Sequence, residues 1–245
     1  MPPDSVLGKT RLILECFGAD DADLSLSEIA RRTGVAKASV HRLNRELVAW
    51  GMLERAGERY RLGLRAFELG GRVAHLRLLR DAARPAMERL SAALDETVHL
   101  AVLDGHDVLY VEKVVATTRA TRSSRIAGRM PAHATATGKV LLAHGPPGLV
   151  ESVIAHGLPR RTARTVAAPQ RLRDQVARAA RDGYAVEFEE VSAGYCSVAV
   201  PVPPPAGGDA VPASLSVTAP TVRADVRRFA SALAAASRGI RRPGP

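Results

Sequence analysis

The sequence predicts an α+β protein of two domains: an N-terminal winged helix-turn-helix, a linker helix and a C-terminal α/β domain. Three observations carry this prediction. Residues 25–62 hold two amphipathic helical segments around one glycine, followed at once by a short hairpin pattern. Residues 98–218 alternate Val/Leu/Ala-rich strand runs with helical stretches, the mixture expected of a layered α/β core. The chain has 245 residues, 46% of them hydrophobic and 24% charged, which is enough length and apolar content for one small and one medium domain. The expected boundaries are 1–63 for the first domain, 64–80 for the linker helix and 81–245 for the second.

Each element has a local reason. Val6, Thr10, Ile13, Leu14 and Phe17 recur at helical spacing, and Gly18 with the acidic residues Asp20, Asp21 and Asp23 ends that helix. Ser25 stands three residues before Glu28, a capping-box pattern that opens a second helix over Leu26–Thr33. Gly34 makes the turn. A third helix runs over Lys37–Trp50 with Val40, Leu43 and Leu47 on its buried stripe, and Gly51 ends it. Met52–Arg55 and Arg59–Leu62 read as strands around Ala56-Gly57-Glu58, forming the wing. Phe67, Leu69, Val73 and Leu76 give a helical pattern over Leu64–Arg80, weakened by Gly70-Gly71. Pro85 suits the first turn of a further helix carrying Ala86, Leu90 and Leu94.

The second domain continues with strands at Val98–Leu103 and Val108–Val115 around a hairpin at residues 104–107, then a polar, Arg-rich loop with a little strand over 116–133. Helices follow at Thr135–His144, at Leu149–His156, and around Leu172 and Val176 up to Asp182-Gly183. Strands are expected at Tyr184–Phe188, Cys196–Val202 and Ala213–Thr218, with an exposed Pro/Gly loop at 203–212. A closing helix places Val222, Val226, Phe229 and Leu233 on one stripe.

The formal net charge of +10 favours polyanionic partners, nucleic acid first among them, although an arginine-rich composition makes many proteins basic. Cys16 and Cys196 form no CxxC and no disulfide framework, as expected in a reducing cytosol. No apolar stretch of about 18 residues occurs, and MPPDSVLGKTRLILECF lacks a hydrophobic signal core, so a cytoplasmic protein without membrane contact is expected.

In a helix-turn-helix the second helix enters the major groove. The residues expected on the exposed face of that helix are Lys37, Ala38, Ser39, His41, Arg42 and Arg45. Lysine and arginine suit guanine acceptors or phosphates, serine suits either, and alanine lies against a thymine methyl. In the wing, Arg55, Arg59 and Arg61 are placed to touch phosphates or the minor groove. One amphipathic helix with arginines is also what a solvated surface looks like; the order helix, glycine turn, helix, hairpin is what favours a DNA reader.

The segments LSLSEIARRTGVAKASVHRLNREL, RYRLGLRAFELG, RMPAHATATGKVLLA, GYAVEFEEVSAGYCSVAVPV and ASLSVTAPT, in that order along nearly the whole chain, resemble the isocitrate lyase regulator (IclR) family of bacterial transcription factors. The resemblance implies that the second domain is a GAF-like effector-binding domain. It implies a homodimer or a dimer of dimers, pseudo-palindromic operator DNA, and a small carboxylate or aromatic effector, with repression expected in preference to activation. Carried onto matching positions, the effector pocket would involve Ala136 and Thr137 at a helix start, Glu187, Tyr195 and Ser197, and Ser216 and Thr218. Three positions depart from the pattern: Ala36 where proline is common, Thr137 where leucine is common, and Ser197 where some relatives have cysteine.

Other chemistry is less well supported. Cys196 with His99, His133 and Glu187 lacks any nucleophile signature. His99, His106, His133 and His144 show no metal-ligand spacing, and Gly138-Lys139-Val140 lacks the P-loop pattern. No enzyme activity, cofactor or metal is therefore expected; the alternative is a winged-helix protein whose second domain is catalytic or purely architectural. Arg119, Arg122, Arg125 and Arg129 form a basic run, read as a solvated surface or else a subunit or DNA contact.

Overall fold

The structure is a computed structural model that describes residues 4–18, 20–116, 126–203 and 212–240. The chain divides into two compact units, residues 1–74 and 75–245.

The first unit contains α1 (Val6–Glu15), β1 (Leu24–Ser25), α2 (Leu26–Thr33), α3 (Lys37–Trp50), β2 (Leu53–Ala56), β3 (Arg59–Leu62) and α4 (Leu64–Gly71). The capping box forms: the Ser25 hydroxyl accepts from the Glu28 amide at 3.2 Å, and the Ser25 amide donates to Glu28 Oε2 at 2.8 Å. Gly34 at φ 70° and Gly51 at φ 82° end α2 and α3 in the left-handed conformation. Strands β2 and β3 pair from Leu53↔Leu62 to Ala56↔Arg59, and β1, which the sequence did not suggest, adds to the other side of β3. Ile13, Leu24, Ile29, Val35, Val40, Leu43, Leu47, Leu53 and Tyr60 close the core. Helix α4 buries none of its residues.

The second unit contains α5 (Ala74–Leu94), β4 (Thr97–Asp104), β5 (Asp107–Val114), β6 (Arg129–Pro131), α6 (Ala136–Ala143), α7 (Leu149–His156), α8 (Pro169–Asp182), β7 (Ala185–Phe188), β8 (Tyr195–Val202), β9 (Ala213–Pro220) and α9 (Val226–Arg238). Its sheet is antiparallel at each pairing, in the order β6-β5-β4-β9-β8-β7. The two-residue period of a strand divides its side chains between two faces. Val98, Leu100, Val102, Val198, Val200, Val202, Leu215 and Val217 pack with Leu79, Met87 and Leu90 of α5 and Phe229 and Leu233 of α9. The alternate residues face α6, whose first seven residues are all buried. Gly138 is required where α6 meets the turn that precedes it, because a Cβ there would lie 2.1 Å from the carbonyl oxygen of Ala132.

Three expectations need correction. The single connecting helix over 64–80 is two helices: α4 stops at Gly71, and Arg72 and Val73 precede α5. The glycine pair cannot sustain a helix that buries nothing. Pro85 does not open a helix but sits inside α5; Pro85 and Asp81 are both exposed, so the carbonyl deprived of its amide partner is left to water. Val222 is 91% exposed and precedes α9 instead of joining its apolar stripe. Arg119, Arg122, Arg125 and most of the 203–212 loop lie outside the described residues, and Arg129 pairs with Asp104.

Lys139 of α6 is 1% exposed and forms an ion pair with Glu190, itself 4% exposed. Burial pulls the lysine below its ordinary range, and the Glu190 carboxylate opposes that pull. Removing one partner leaves the other charge buried and unpaired, which costs far more than removing both. Lys139→Ala is expected to destabilise the second unit by about 3–5 kcal/mol in urea unfolding. The double replacement Lys139→Met, Glu190→Leu should recover most of that loss. An unchanged midpoint in Lys139→Ala would contradict this account.

Candidate functional site

The outward face of α3 carries Lys37, Ala38, His41, Arg42 and Arg45, all exposed, with Ser39 half-buried among them. The buried stripe is Val40, Leu43, Asn44 and Leu47. Among the described residues Arg42 is held only by an exposed i,i+4 pair with Glu46 at 3.0 Å, an interaction worth little in water. The N-cap residue of α3 is Ala36, which offers no side-chain acceptor to the first-turn amides, so these are left to solvent or an anion.

The three wing arginines differ from one another. The Arg55 guanidinium lies 5.6 Å from the centre of the Tyr60 ring and stays exposed. Arg61 is engaged by Glu54 at 2.8 Å. Arg59 is turned onto the body of the domain, paired with Asp23 and, at 2.8 Å, with Glu28 of the capping box. Its position therefore suits holding β3 against the start of α2 more than reaching a phosphate.

In the second unit, a polar row crosses four strands beneath α6. The register aligns Glu187 with Ser197, Ser197 with Thr218, and Thr218 with Thr97. The Ser197 hydroxyl donates to Glu187 Oε1 at 2.9 Å and lies 3.0 Å from the Thr218 hydroxyl. Glu187 Oε2 accepts the Glu190 amide at 2.9 Å. Over this row the structure encloses a cavity of about 30 Å³, room for roughly one water. All seven positions expected from the sequence line it: Ala136, Thr137, Glu187, Tyr195, Ser197, Ser216 and Thr218.

The cavity also has walls that the sequence reading did not assign, namely His99, Tyr110, Met130, Thr135, Val191 and Ser192. His99 and Ser216 are cross-strand neighbours, so the β4–β9 pairing carries His99 into the site. The signal available in the sequence was alternation alone: His99 shares a strand face with Thr97, and Tyr110 belongs to the partner hairpin strand. The His99 and Tyr110 rings stand 5.1 Å apart and tilted.

Thr135 caps α6, its hydroxyl accepting from the Gly138 amide at 3.0 Å. The amides of Ala136 and Thr137 belong to the first turn and have no partner within the helix. The Thr137 hydroxyl is buried at the start of α6, where it acts on the Tyr110 phenol. Burial shapes the electrostatics. It pushes Glu187 up to about 7, against the Glu190 amide and the Ser197 hydroxyl, which favour the ionised form. It pushes Tyr110 up to about 12 and pulls His99 down to about 3, so the phenol and a neutral imidazole face the cavity at neutral pH. Cys196 occupies the strand face opposite Ser197, and burial holds its thiol up to about 12, far from the thiolate that nucleophilic chemistry requires.

Comparison with known proteins gives consistent results. The family model described as the bacterial transcriptional regulator IclR C-terminal domain matches residues 72–242, and the IclR helix-turn-helix domain model matches residues 6–57. The HTH-type transcriptional regulator XynR of Escherichia coli is 33% identical over 205 residues, covering 82% of this chain and 81% of its own. The acetate operon repressor of Salmonella typhimurium is 30% identical over 192 residues, covering 76% and 70%. Among solved structures, an IclR homolog from Microbacterium hydrocarbonoxydans complexed with 4-hydroxybenzoate is 36% identical, with a TM-score of 0.87, covering 96% of this chain and 97% of its own.

The raised Glu187 gives a pH signature. The folded protein holds this proton to about pH 7, whereas the unfolded chain releases it near 4.5. The stabilisation is complete below the lower value and is lost as pH rises through the upper one. Wild type is expected to lose about 2.5 kcal/mol more stability than Glu187→Gln between pH 5 and pH 8. Parallel stability profiles for the two proteins would show that Glu187 is not held protonated.

Proposed function

The chain belongs to the IclR family of bacterial transcriptional regulators, and on that premise we propose that α3 reads paired half-sites of a pseudo-palindromic operator while the cavity beneath α6 takes a small aromatic or organic-acid effector. The observation that carries the effector reading is that residues from four separate segments of sequence converge on one enclosed polar space. One end of that space has the start of α6, where first-turn amides suit a carboxylate. The other has the Glu187–Ser197–Thr218 row, which suits a hydroxyl group. A hydroxy-substituted aromatic acid, the class of ligand bound by the Microbacterium homolog, satisfies both ends.

About 30 Å³ is too little for an aromatic ring. The effector-bound form therefore differs from this one, with Met130, Val191 or Ser192 displaced. A ligand that needs a widened cavity shifts the population toward the form that has it. The readout is operator affinity, passed along the chain through α5 and the Arg72–Val73 break between α5 and α4. Repression is the favoured mode, and the cytoplasm is where such a protein meets its operator.

An apolar patch on the first unit favours pairing with a second copy of the chain. Trp50, Leu62, Leu64 and Phe67 are exposed, Phe67 at 82%. Gly63 packs directly on the Gly51 backbone, and the Arg65 amide donates to the Gly51 carbonyl at 3.3 Å, which brings these segments together. Apolar residues gathered in this way favour a homodimer through the first units, with a dimer of dimers through the second.

Two variants test the division of labour in DNA recognition. In mobility-shift titrations Arg42→Ala is expected to weaken operator binding about tenfold or more and to reduce its salt dependence. Arg59→Ala should leave the salt dependence unchanged. The reverse pattern would move the DNA contact from α3 to the wing. For the effector, Ser216→Leu fills the cavity; its expected effect is loss of 4-hydroxybenzoate-induced thermal stabilisation with operator binding intact. A ligand response equal to wild type would remove Ser216 from the site.

A further inference from the structure

A second concavity, far larger than the first, lies between α8, the residues 160–168 that precede it, and β7. It encloses about 710 Å³, well within the range of small-molecule sites. The cavity beneath α6 shares none of the arginines of this cleft.

Its charge is one-sided. Lys139, Arg160, Arg164, Arg171 and Arg178 line it, against the carboxylates of Asp182 and Glu190. Lys139 and Glu190 neutralise each other in their buried pair. Arg164 is paired with Glu189 at 2.8 Å, and Arg160 donates to the carbonyls of Ala163 and Thr165. Arg171 and Arg178 have no hydrogen-bond or ion-pair partner among the described residues. Their spacing of seven places both on one face of α8, with Gln175 between them. By contrast, Arg173 of the same helix is bidentate to Glu151, at 2.8 and 2.7 Å, and does not line the cleft.

The opposite wall is apolar. Val166, Tyr184, Val186 and Phe188 form it, and β7 is the edge strand of the sheet. An anion held between this wall and the arginines is partly withdrawn from water, which strengthens each charge-assisted hydrogen bond. Guanidinium groups match phosphate and carboxylate oxygens in planar, bidentate fashion. A concave site of this volume admits a small molecule and not a DNA duplex, whose groove surface needs a convex or protruding element to enter it.

We propose that the cleft between α8 and β7 is a second ligand site, specific for a small polyanion with adjacent phosphate or carboxylate groups, gripped by Arg171 and Arg178. It stands apart from the effector cavity and does not depend on the identity of that effector.

The test is calorimetric titration of the intact protein with pyrophosphate and, separately, with citrate, at about 0.15 M salt to screen diffuse charge attraction. At least one probe is expected to bind with a stoichiometry of one per chain, and the better probe identifies the phosphate or carboxylate source. Arg171→Ala with Arg178→Ala should weaken that binding at least about tenfold. Arg173→Ala, on the same helix but outside the cleft, should leave it unchanged. Both altered proteins keep their apolar contacts, and matching thermal midpoints establish that they fold. Failure of both probes to bind overturns the proposal, as does equal weakening by Arg173→Ala, which would mark diffuse attraction. Loss of operator affinity in the double variant with undiminished probe binding would assign the two arginines to DNA and overturn it as well.

Discussion

The buried ion pair of Lys139 and Glu190 is the contact on which the second unit is organised. Lys139 comes from α6, the helix whose start roofs the small cavity, and Glu190 from the turn after β7. Glu190 has further roles. Its side chain accepts the Val166 amide at 3.2 Å, its carbonyl accepts the Thr165 hydroxyl at 2.6 Å, and its own amide donates to Glu187. One residue thus ties α6, the residues before α8 and the polar row of the sheet into a single network. Charges this deep are tolerated only where every partner is in place, so these segments cannot shift independently.

The sheet supplies the other half of the constraint. Its alternation sends valine and leucine to α5 and α9 and leaves serine, threonine, histidine and glutamate on the side of α6. Gly138 lets the first turn of α6 fold back onto the backbone of Ala132, in the turn that leads into the helix. The docking of α6 that completes the core encloses the row Glu187–Ser197–Thr218 and desolvates it. Desolvation in turn raises Glu187 into the physiological range. Packing, polarity and protonation at the cavity therefore have one cause, and any ligand admitted there must work against that packing.

Much of this was legible in the sequence because it rests on local rules. The capping box at Ser25 and Glu28, the glycines at 34 and 51 and the wing hairpin all follow from short-range patterns, and each is present. The seven positions that the family resemblance suggested lie around one small cavity. What local pattern does not contain is pairing across the sheet. His99 and Tyr110 join the cavity only through the strand order β5-β4-β9, and Arg59 turns to Asp23 only because β3 lies beside β1. Asn44, which no sequence pattern singles out, is fully buried in α3. Pro85 misled for a related reason: its preference for a first turn is a tendency, and an exposed position lets a long, well-packed helix carry it.

A small acid sensed at the polar row beneath α6 would be directly visible there. The most direct measurement is a crystal structure of the intact protein with the aromatic or carboxylic acid that most stabilises it in a thermal-shift screen. That compound is expected to lie between the start of α6 and the Glu187–Ser197–Thr218 row, in a cavity wider than about 30 Å³. The same compound bound only elsewhere, with the row still closed over a space of one water, would contradict it.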